Sequence, residues 1–293
     1  MSRSRYDRVL KWTLLVAGGI MLLMLLNLFQ RPGRQDWTVS GGPRVGVVDI
    51  RGPILDSRKI VERIDQFARR KDIDAILVRI DSPGGTVGAS QEIYAKLAKV
   101  RDEGDKPVVA SMGTVAASGG VYVALGADTI MAAPGTATGS IGVILDFPVA
   151  TGLLEKLGIQ VEVVKSGALK DAGSPYRVPT AADRASFQRI IDDLYDQFIN
   201  VVAKERGLSL EAVRQMATGE VFTGREALQL GLIDLLGTYE DAVNLAGSMT
   251  GSDKRPEVVR PVERRRRTLL DWIIGDLASE SIYPQLMPQY RMW

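Results

Sequence analysis

Short apolar runs alternate with amphipathic stretches through the first half of this chain, and this alternation limits the folds it can adopt. Residues 44–50, 75–80 and 107–112 are typical of buried strands, whereas residues 57–70 carry apolar side chains at helical spacing. Strands that alternate with helices predict an α/β domain in which most strands pair in parallel.

Two glycine-rich turns follow the second and third predicted strands. Gly84 and Gly85 come after the second strand, and Gly119 and Gly120 come after the third, directly behind Ser118. Ligands of parallel α/β sheets collect at the carboxyl ends of the strands. The sequence therefore predicts a functional site where these two turns meet.

The second half of the chain is more helical. Thr180 is expected to cap a long helix that ends near Arg206, with Asp183 completing a capping box, and Ser209 is expected to cap a shorter one. Periodicity breaks down after Gly251, so we expect the globular domain to span residues 43–251.

The N-terminus has the pattern of a membrane anchor. Residues 12–29 carry no charge and would extend about 27 Å as a helix, close to the thickness of the bilayer core. Basic residues dominate residues 1–11, which predicts that this end stays cytoplasmic and that the domain lies on the extracytoplasmic face of the inner membrane. A cleaved signal peptide fits less well, because the apolar run is long and no A-x-A site follows. Residues 30–42 are typical of a linker.

The C-terminal tail, residues 252–293, combines basic and apolar residues. Four consecutive arginines at 264–267 precede an apolar cluster at helical spacing that includes Trp272. Such a helix can lie on anionic lipid, or it can pack on the domain or on a neighbouring subunit, and both interpretations remain open.

Composition excludes several kinds of chemistry. The chain has 37 basic and 35 acidic residues, a balance that disfavours a nucleic-acid-binding role. It has no histidine and no cysteine, which excludes Ser-His-Asp and Cys-His catalysis and disfavours the usual zinc sites. We therefore predict no metal and no cofactor. A hydroxyl activated by a neutral lysine amine remains possible.

Ser118 and Lys170 are the candidates for that chemistry. Glycine amides next to Ser118 could approach a substrate carbonyl and stabilise the oxyanion of an acyl-transfer reaction. However, a serine before two glycines is more often a helix cap, and most lysines are solvated surface charges. Asp171, beside Lys170, slightly favours the solvated interpretation. Sequence spacing alone cannot pair two residues so far apart.

Four segments together provide a stronger signal. Residues 81–85 (DSPGG), 116–122 (AASGGVY), 138–143 (TGSIGV) and 165–177 (KSGALKDAGSPYR) resemble the motifs of the signal peptide peptidase A family, membrane-bound serine proteases with the Clp protease/crotonase fold. The resemblance covers residues 44–247 and matches the short, single-domain form of the family.

The resemblance implies a role for each matching residue. Ser118 matches the nucleophile, Lys170 the general base, and Ser140 the residue whose hydroxyl orients the lysine. The amides of Gly84 or Gly85 and of Gly119 match the oxyanion hole. Val121 stands where an aromatic residue is frequent, a difference expected to affect packing more than chemistry.

The resemblance also implies partners. It predicts a ring-like homo-oligomer in which the serine and the lysine meet at a subunit boundary, and peptide substrates such as signal peptides left in the membrane after cleavage. Two other interpretations remain: an acyl-CoA enzyme of the crotonase type, which would not need Ser118, and a catalytically silent membrane scaffold.

Overall fold

The computed structural model describes residues 41–104, 106–261 and 289–291, together with four isolated positions, 12, 15, 18 and 19. These four positions are helical and belong to a unit separate from the one that begins at Gly41. Among the described residues, no helix is long and apolar enough to cross a membrane. Most of the predicted anchor, the linker and the 264–288 part of the tail lie outside the described residues.

The unit from Gly41 onward alternates strands and helices. Its strands are β1 Arg44–Arg51, β2 Ala75–Ser82, β3 Gly84–Thr86, β4 Val108–Ala117, β5 Thr129–Ala132, β6 Ala137–Gly139, β7 Val221–Thr223, β8 Leu235–Leu236, β9 Glu257–Val259 and β10 Gln289–Arg291. Its helices are α1 Arg58–Arg69, α2 Val87–Asp102, α3 Gly119–Ala124, α4 Thr151–Lys156, α5 Ala181–Arg206, α6 Leu210–Met216, α7 Gly224–Gln229 and α8 Tyr239–Ser248.

Eight of these strands form one mostly parallel sheet. Its main path has the order β7-β6-β4-β2-β1-β9, and β5 and β8 extend it from the first half of β4. The β6–β7 pair is antiparallel, whereas the other pairs in this sheet are parallel. The prediction of an α/β domain with mostly parallel pairing is therefore confirmed.

The central strands are buried on both faces, which explains their continuous apolar runs. One face of β1 and β2, including Val47 and Leu77, packs against α8. The opposite face, including Val48 and Val78, joins a larger core with α1, α2, α3 and α5, in which Phe198 of α5 is fully buried. Neighbouring side chains of one strand thus serve two different cores.

Strand β4 is longer than its sequence pattern predicts. The apolar run at 107–112 is followed by Gly113, yet the strand continues to Ala117. Its first half pairs with β5 and its second half pairs with β6, so the sheet forks along this strand. The second half also pairs Ala116 with Ser82 at the end of β2. This pairing brings the two glycine-rich turns to the same edge of the sheet.

The predicted capping signals around α5 are present. Thr180 and Asp183 form a capping box at its start, and Ser209 accepts a hydrogen bond from the Ala212 amide at the start of α6. Beyond the predicted domain end at residue 251, β9 pairs with β1 in parallel. The first part of the predicted tail therefore contributes a strand to the sheet.

Candidate active site

Ser118 is held in a strained backbone conformation between β4 and α3. Its φ of 52° and ψ of −112° are values that non-glycine residues rarely adopt, with a typical cost of about 1–3 kcal/mol. Two hydrogen bonds fix it: its amide donates to the Gly139 carbonyl at 2.8 Å, and its carbonyl accepts from the Tyr122 amide at 3.0 Å. A sharp strand-to-helix turn of this kind can present a nucleophile to a substrate.

The Ser118 hydroxyl is buried and has no hydrogen-bond partner. The residue is 0% exposed, and its Oγ is one of two buried side-chain polar atoms without a partner in the described part of the chain. An unpaired buried hydroxyl costs stability, so it needs an explanation such as a catalytic role. It also means that Ser118 does not serve as a side-chain cap for α3.

Ser140 lies next to Ser118 because the residue before it, Gly139, is hydrogen-bonded to Ser118. The Gly139 carbonyl accepts the Ser118 amide, and the next residue, Ser140, is 6% exposed with a φ of 51°. Its amide donates to the Glu220 carbonyl at 2.6 Å, which fixes it against the start of β7. Ser118 and Ser140 are the two non-glycine residues with positive φ in the described ranges.

The glycines after β2 approach other backbone atoms closely. A Cβ atom on Gly85 would lie 2.1 Å from the Ile54 carbonyl oxygen, so this position does not tolerate a side chain. Gly84 has a φ of 105°, and its amide donates to Ser82 Oγ at 3.1 Å. A Cβ atom on Gly120 would lie 3.2 Å from the Ser82 carbonyl oxygen, so the start of α3 lies against this turn.

A second strand covers the edge formed by these glycines. Strand β10 pairs with β3 in antiparallel register, with Tyr290 opposite Gly85 and Arg291 opposite Gly84. An extended peptide that adds to a sheet edge makes the same backbone hydrogen bonds. Gly84 and Gly85, two of the three predicted oxyanion-hole glycines, therefore lie on a strand whose edge accepts an extended peptide segment.

A groove of about 630 Å³ continues beyond β3. Thr86 and Val87 line it where β3 meets α2, and Leu55 and Leu194 supply apolar surface from other elements. Charged side chains, including Arg58 and Glu92, also line it. The groove has room for side chains of a peptide bound along β3.

Lys170 is in a different environment. It lies on an exposed turn within residues 155–170, all of which are exposed, and its amide donates to the Gly167 carbonyl at 3.1 Å. Because the Ser118 hydroxyl has no hydrogen-bond partner, this chain does not bring its own Lys170 within hydrogen-bond distance of Ser118. Among the predicted site residues, Ser118, Ser140 and the glycines gather at one edge of the sheet, whereas no hydrogen bond between described residues joins Lys170 to them.

Asp171 does not pair with Lys170. Its carboxylate receives two hydrogen bonds from Arg177, at 2.8 and 3.0 Å, and one from Lys165 at 2.6 Å. These bonds hold the pKa of Asp171 well below its usual range, with Arg177 the larger cause. Asp171 therefore pairs with other cations, whereas Lys170 is exposed in this chain, as the solvated interpretation expects.

Arg177 is a residue that sequence reasoning did not single out. It joins Asp171 to Asp183, the capping residue of α5, and all three side chains are less than a third exposed. In the sequence, each of the two acids lies six residues from the arginine. This spacing does not by itself indicate that the side chains are in contact. Within the described residues, no group of acidic side chains could hold a metal ion.

Comparison with known proteins places the chain in a family. The family model for peptidase family S49 matches residues 100–251, about half of the chain. A candidate protease of Synechocystis sp. is 46% identical over 211 residues, which cover 72% of this chain and 76% of that protein. A candidate signal peptide peptidase SppA of Enterococcus faecium is 38% identical over 187 residues, covering 64% of this chain and 54% of that protein.

Protease 4 of Haemophilus influenzae is 36% identical over 214 residues, which cover 69% of this chain and 34% of that protein. The chain thus spans about three quarters of the first of these relatives, about half of the second and about a third of the third. The chain belongs to peptidase family S49. It is a serine protease of the signal peptide peptidase A type, and the resemblance noted in its motifs is confirmed.

Proposed function

We propose that the chain is an endopeptidase with a Ser-Lys dyad, in which Ser118 is the nucleophile and Lys170 of a neighbouring subunit is the base. The observation that supports this proposal most directly is the Ser118 hydroxyl itself, which is buried, unpaired and held on a strained turn beside glycine amides. A purely structural serine would have no reason to keep either the strain or the unpaired hydroxyl.

In the first half of the reaction, Ser118 Oγ attacks the carbonyl carbon of the scissile bond and its proton passes to the Lys170 amine. The oxyanion of the tetrahedral intermediate accepts hydrogen bonds from the Gly119 amide and from the Gly84 or Gly85 amide. Because the Gly84 amide already donates to Ser82 Oγ, Gly85 is the better candidate of the two once substrate has displaced β10, which pairs with Gly85. The C–N bond then breaks, and Lys170 returns the proton to the leaving amine.

In the second half, Lys170 removes a proton from water, which attacks the acyl-enzyme ester. The ester C–O bond of the new tetrahedral intermediate breaks to release the carboxylic acid, and protonated Lys170 returns its proton to Ser118 Oγ. We assign to the Ser140 hydroxyl the role of orienting the incoming lysine amine, because Gly139, which binds the Ser118 amide, directly precedes Ser140. These steps need no metal and no cofactor.

A homo-oligomer would complete this site. Ser118 has no partner within its own chain, and Lys170 lies on a segment rich in exposed apolar side chains. Val164 is 95% exposed, and Leu153, Leu157 and Val178 are each at least 60% exposed. Apolar surface of this extent is typical of a protein–protein interface. We infer that a second copy covers it and that the two catalytic groups meet at the subunit boundary, as in the ring implied by the family resemblance.

The substrate is proposed to be an extended peptide bound along β3. Strand β10 occupies that edge in antiparallel register, so a substrate peptide and the C-terminal segment would compete for it. The groove beyond β3 favours small or apolar side chains through Leu55 and Leu194. With the predicted anchor at residues 12–29 and a domain on the extracytoplasmic face, cleaved signal peptides and other membrane-proximal peptides are the proposed substrates.

Mass spectrometry after reaction of the full chain with a fluorophosphonate probe tests this function. We expect the probe to label Ser118, and we expect Lys170→Ala to reduce the labelling rate by about 10²- to 10⁴-fold without changing the fold. Lys254→Ala, which removes another exposed lysine, is the matched control. Unchanged labelling of Lys170→Ala would refute the dyad.

Size-exclusion chromatography with light scattering tests the shared site in the same samples. If Ser118 is labelled as readily in a monomer as in an oligomer, Lys170 does not come from a neighbour. Turnover of a crotonyl thioester without turnover of a peptide would favour an acyl-CoA enzyme. A folded, assembled wild type that neither reacts with the probe nor cleaves peptides would favour a scaffold.

A further inference from the structure

The segment that carries Lys170 has little regular structure of its own. Between the end of α4 and the start of α5, its backbone hydrogen bonds are mostly local turns, such as Lys170 to Gly167 and Ala172 to Leu169. Near its end, the Pro175 carbonyl accepts the Ala150 amide at 2.7 Å. A turn with so few backbone bonds does not fix a lysine amine by itself, so other interactions must decide where Lys170 lies.

Arg177 provides the strongest of these interactions. Its Nε and Nη2 donate to the two carboxylate oxygens of Asp171 at 3.0 and 2.8 Å, a bidentate arrangement. Its Nη2 also donates to Asp183 Oδ1 at 3.0 Å, and its Nη1 donates to Asp183 Oδ2. One guanidinium therefore joins the residue next to Lys170 to the first turn of α5.

Asp183 connects the Asp171–Arg177–Asp183 bridge to the rest of the domain. It is buried, and it accepts hydrogen bonds from the Thr180 amide at 2.8 Å and from the Thr180 hydroxyl at 2.9 Å. It opens a 26-residue helix whose Phe198 is fully buried in the core. Arg177 therefore fixes the position of Asp171 relative to α5, which is a rigid element.

The bridge also determines which cations face Asp171. Arg177 and Lys165 together occupy both of its oxygens, and hydrogen bonds from Arg177 hold the pKa values of Asp171 and Asp183 well below their usual range. Both carboxylates stay charged at neutral pH. Without Arg177, Lys165 would still bind Oδ1 of Asp171, but Oδ2 would lose its hydrogen bond and would be free to act as a counter-ion to the lysine that the proposed mechanism requires to be neutral.

We propose that Arg177 is a positioning residue for Lys170. It fixes the turn that carries the lysine and occupies Asp171, so that this carboxylate cannot pair with the lysine amine. This inference rests on the proposed function, since it assigns Lys170 as the base, but it concerns a different residue and has its own test.

The test compares Arg177→Gln with the double variant Asp171→Asn/Arg177→Gln in the full-length protein. The readout is the rate of fluorophosphonate labelling at Ser118 as a function of pH, with kcat and KM for a peptide substrate. We expect Arg177→Gln to slow labelling by about tenfold to a hundredfold and to lower kcat more than it changes KM. We also expect it to move the acid limb of the pH profile upward by about one pH unit, because the freed Asp171 stabilises the protonated lysine.

The double variant separates electrostatics from packing. Because it removes the free carboxylate, we expect the acid limb to return to its wild-type position while the rate stays low. Arg177→Lys should rescue part of the rate, since it keeps the charge but not the bidentate geometry. Arg189→Gln, at an exposed arginine of α5, the helix in whose first turn Asp183 lies, is the matched control and should behave as the wild type.

An unchanged acid limb in Arg177→Gln, or a limb that the double variant does not restore, would overturn the proposal. If Arg177→Gln does not fold, Asp171→Asn alone decides, because it keeps the Arg177–Asp183 bond. Slower labelling with an unshifted limb is then expected, and a wild-type rate would overturn the proposal. Wild-type labelling in Lys170→Ala would instead refute the proposed function, so the two failures are distinguishable.

Discussion

The two halves of the proposed dyad are held in opposite ways. Ser118 is buried directly after the end of β4. Its position is determined by a strained backbone conformation and by the hydrogen bond from its amide to the Gly139 carbonyl. Lys170 is exposed on a turn, and ion pairs of its neighbours Asp171 and Arg177 determine the position of that turn. One half is fixed by the packed interior of the chain, and the other by charges at its surface.

The difference indicates how an active site shared between two subunits, as proposed above, would have to be built. A nucleophile and its oxyanion donors must keep their geometry to within fractions of an ångström, so they belong in a rigid core. A lysine that reaches into a neighbour has to stay at the surface until the subunits meet. Charge pairs can hold such a turn in one arrangement without burying it.

Of the variants that test this difference, Gly85→Ala should have the largest effect on stability and on Ser118 labelling. Its Cβ would lie 2.1 Å from the Ile54 carbonyl oxygen, so Gly85→Ala must displace the backbone of Ile54 or of β3. We expect a loss of more than about 3 kcal/mol in the free energy of unfolding, together with loss of Ser118 labelling. Denaturant unfolding and labelling kinetics measure the two.

The matching change in the other half is Gly167→Ala, on the turn of Lys170. Nothing lies within 4 Å of a Cβ atom at Gly167 or at Gly88, which serves as a local control near Gly85. Both variants should keep wild-type stability within about 0.5 kcal/mol. If Gly167→Ala lost as much stability as Gly85→Ala, the turn of Lys170 would be as tightly packed as the region of Gly85, and the two halves would not differ as described.

Strain at Ser118 can be measured by comparing glycine with alanine. Ser118→Gly relieves the positive φ, whereas Ser118→Ala keeps a Cβ atom in the same conformation. We expect the glycine variant to be more stable than the alanine variant by about 1 kcal/mol, after allowing for the greater freedom of glycine in the unfolded chain.

At exposed Ser166, beside Lys170, the order of the two variants should be reversed. Ser166 has no positive φ, so Ser166→Gly should be less stable than Ser166→Ala by about 0.5–1 kcal/mol. Equal stabilities of the glycine and alanine variants at Ser118 would mean that the backbone strain is absent in solution.

Removing residues 289–293 should have a smaller effect, confined to the Ser118 half. Strand β10 covers the β3 edge proposed to bind substrate, so its removal should raise the labelling rate or lower KM by several-fold. Deletion of residues 292–293 alone is the control. A decrease in activity would indicate that the segment supports the site instead of competing with substrate.

The pH dependence of stability should show the smallest effect, confined to the Lys170 half. The pKa values of Asp171 and Asp183 are lowered by Arg177, so their stabilisation is present above the unfolded value of about 4 and is lost as pH falls below it. The raised pKa of Arg177 leaves its contribution intact up to high pH. Stability differences between wild type and Asp171→Asn should therefore be constant from about pH 5 to 9.

Denaturant unfolding of both proteins at several pH values measures this difference. It should narrow below about pH 4, where the wild type loses the ion pairs that the variant already lacks. A difference that changes between pH 6 and 8 would mean that another group titrates with the bridge, and the acid limb of activity could then not be assigned to the lysine alone.

Long, regular elements were predictable from sequence. Strand β1 and helix α1 agree with their apolar patterns to within one or two residues, and the capping box of Thr180 and Asp183 was visible before α5. Each of these signals is local, because side-chain periodicity and capping depend on residues within a turn or two. The candidate site residues came from motifs and not from periodicity.

Short elements and backbone strain were not predictable. Strands β3, β6 and β7 have three residues each, too few to show any alternation. The extension of β4 through Gly113 to Ala117 is stabilised by partners distant in sequence, as is the positive φ of Ser118 and Ser140. Such features exist only where the neighbouring strands supply the hydrogen bonds.

The order of residues along the chain is enough to predict the α/β alternation, to exclude histidine and cysteine chemistry, and to single out Ser118, Lys170 and the glycine turns. The folded chain was needed to show that Ser118 is buried and unpaired, that Lys170 is not hydrogen-bonded to it, and that Arg177 binds Asp171. The two groups of features differ in how far apart along the chain the residues that cause them lie. Periodicity and residue chemistry are properties of the chain, whereas burial and ion pairing depend on which distant residues the fold brings together.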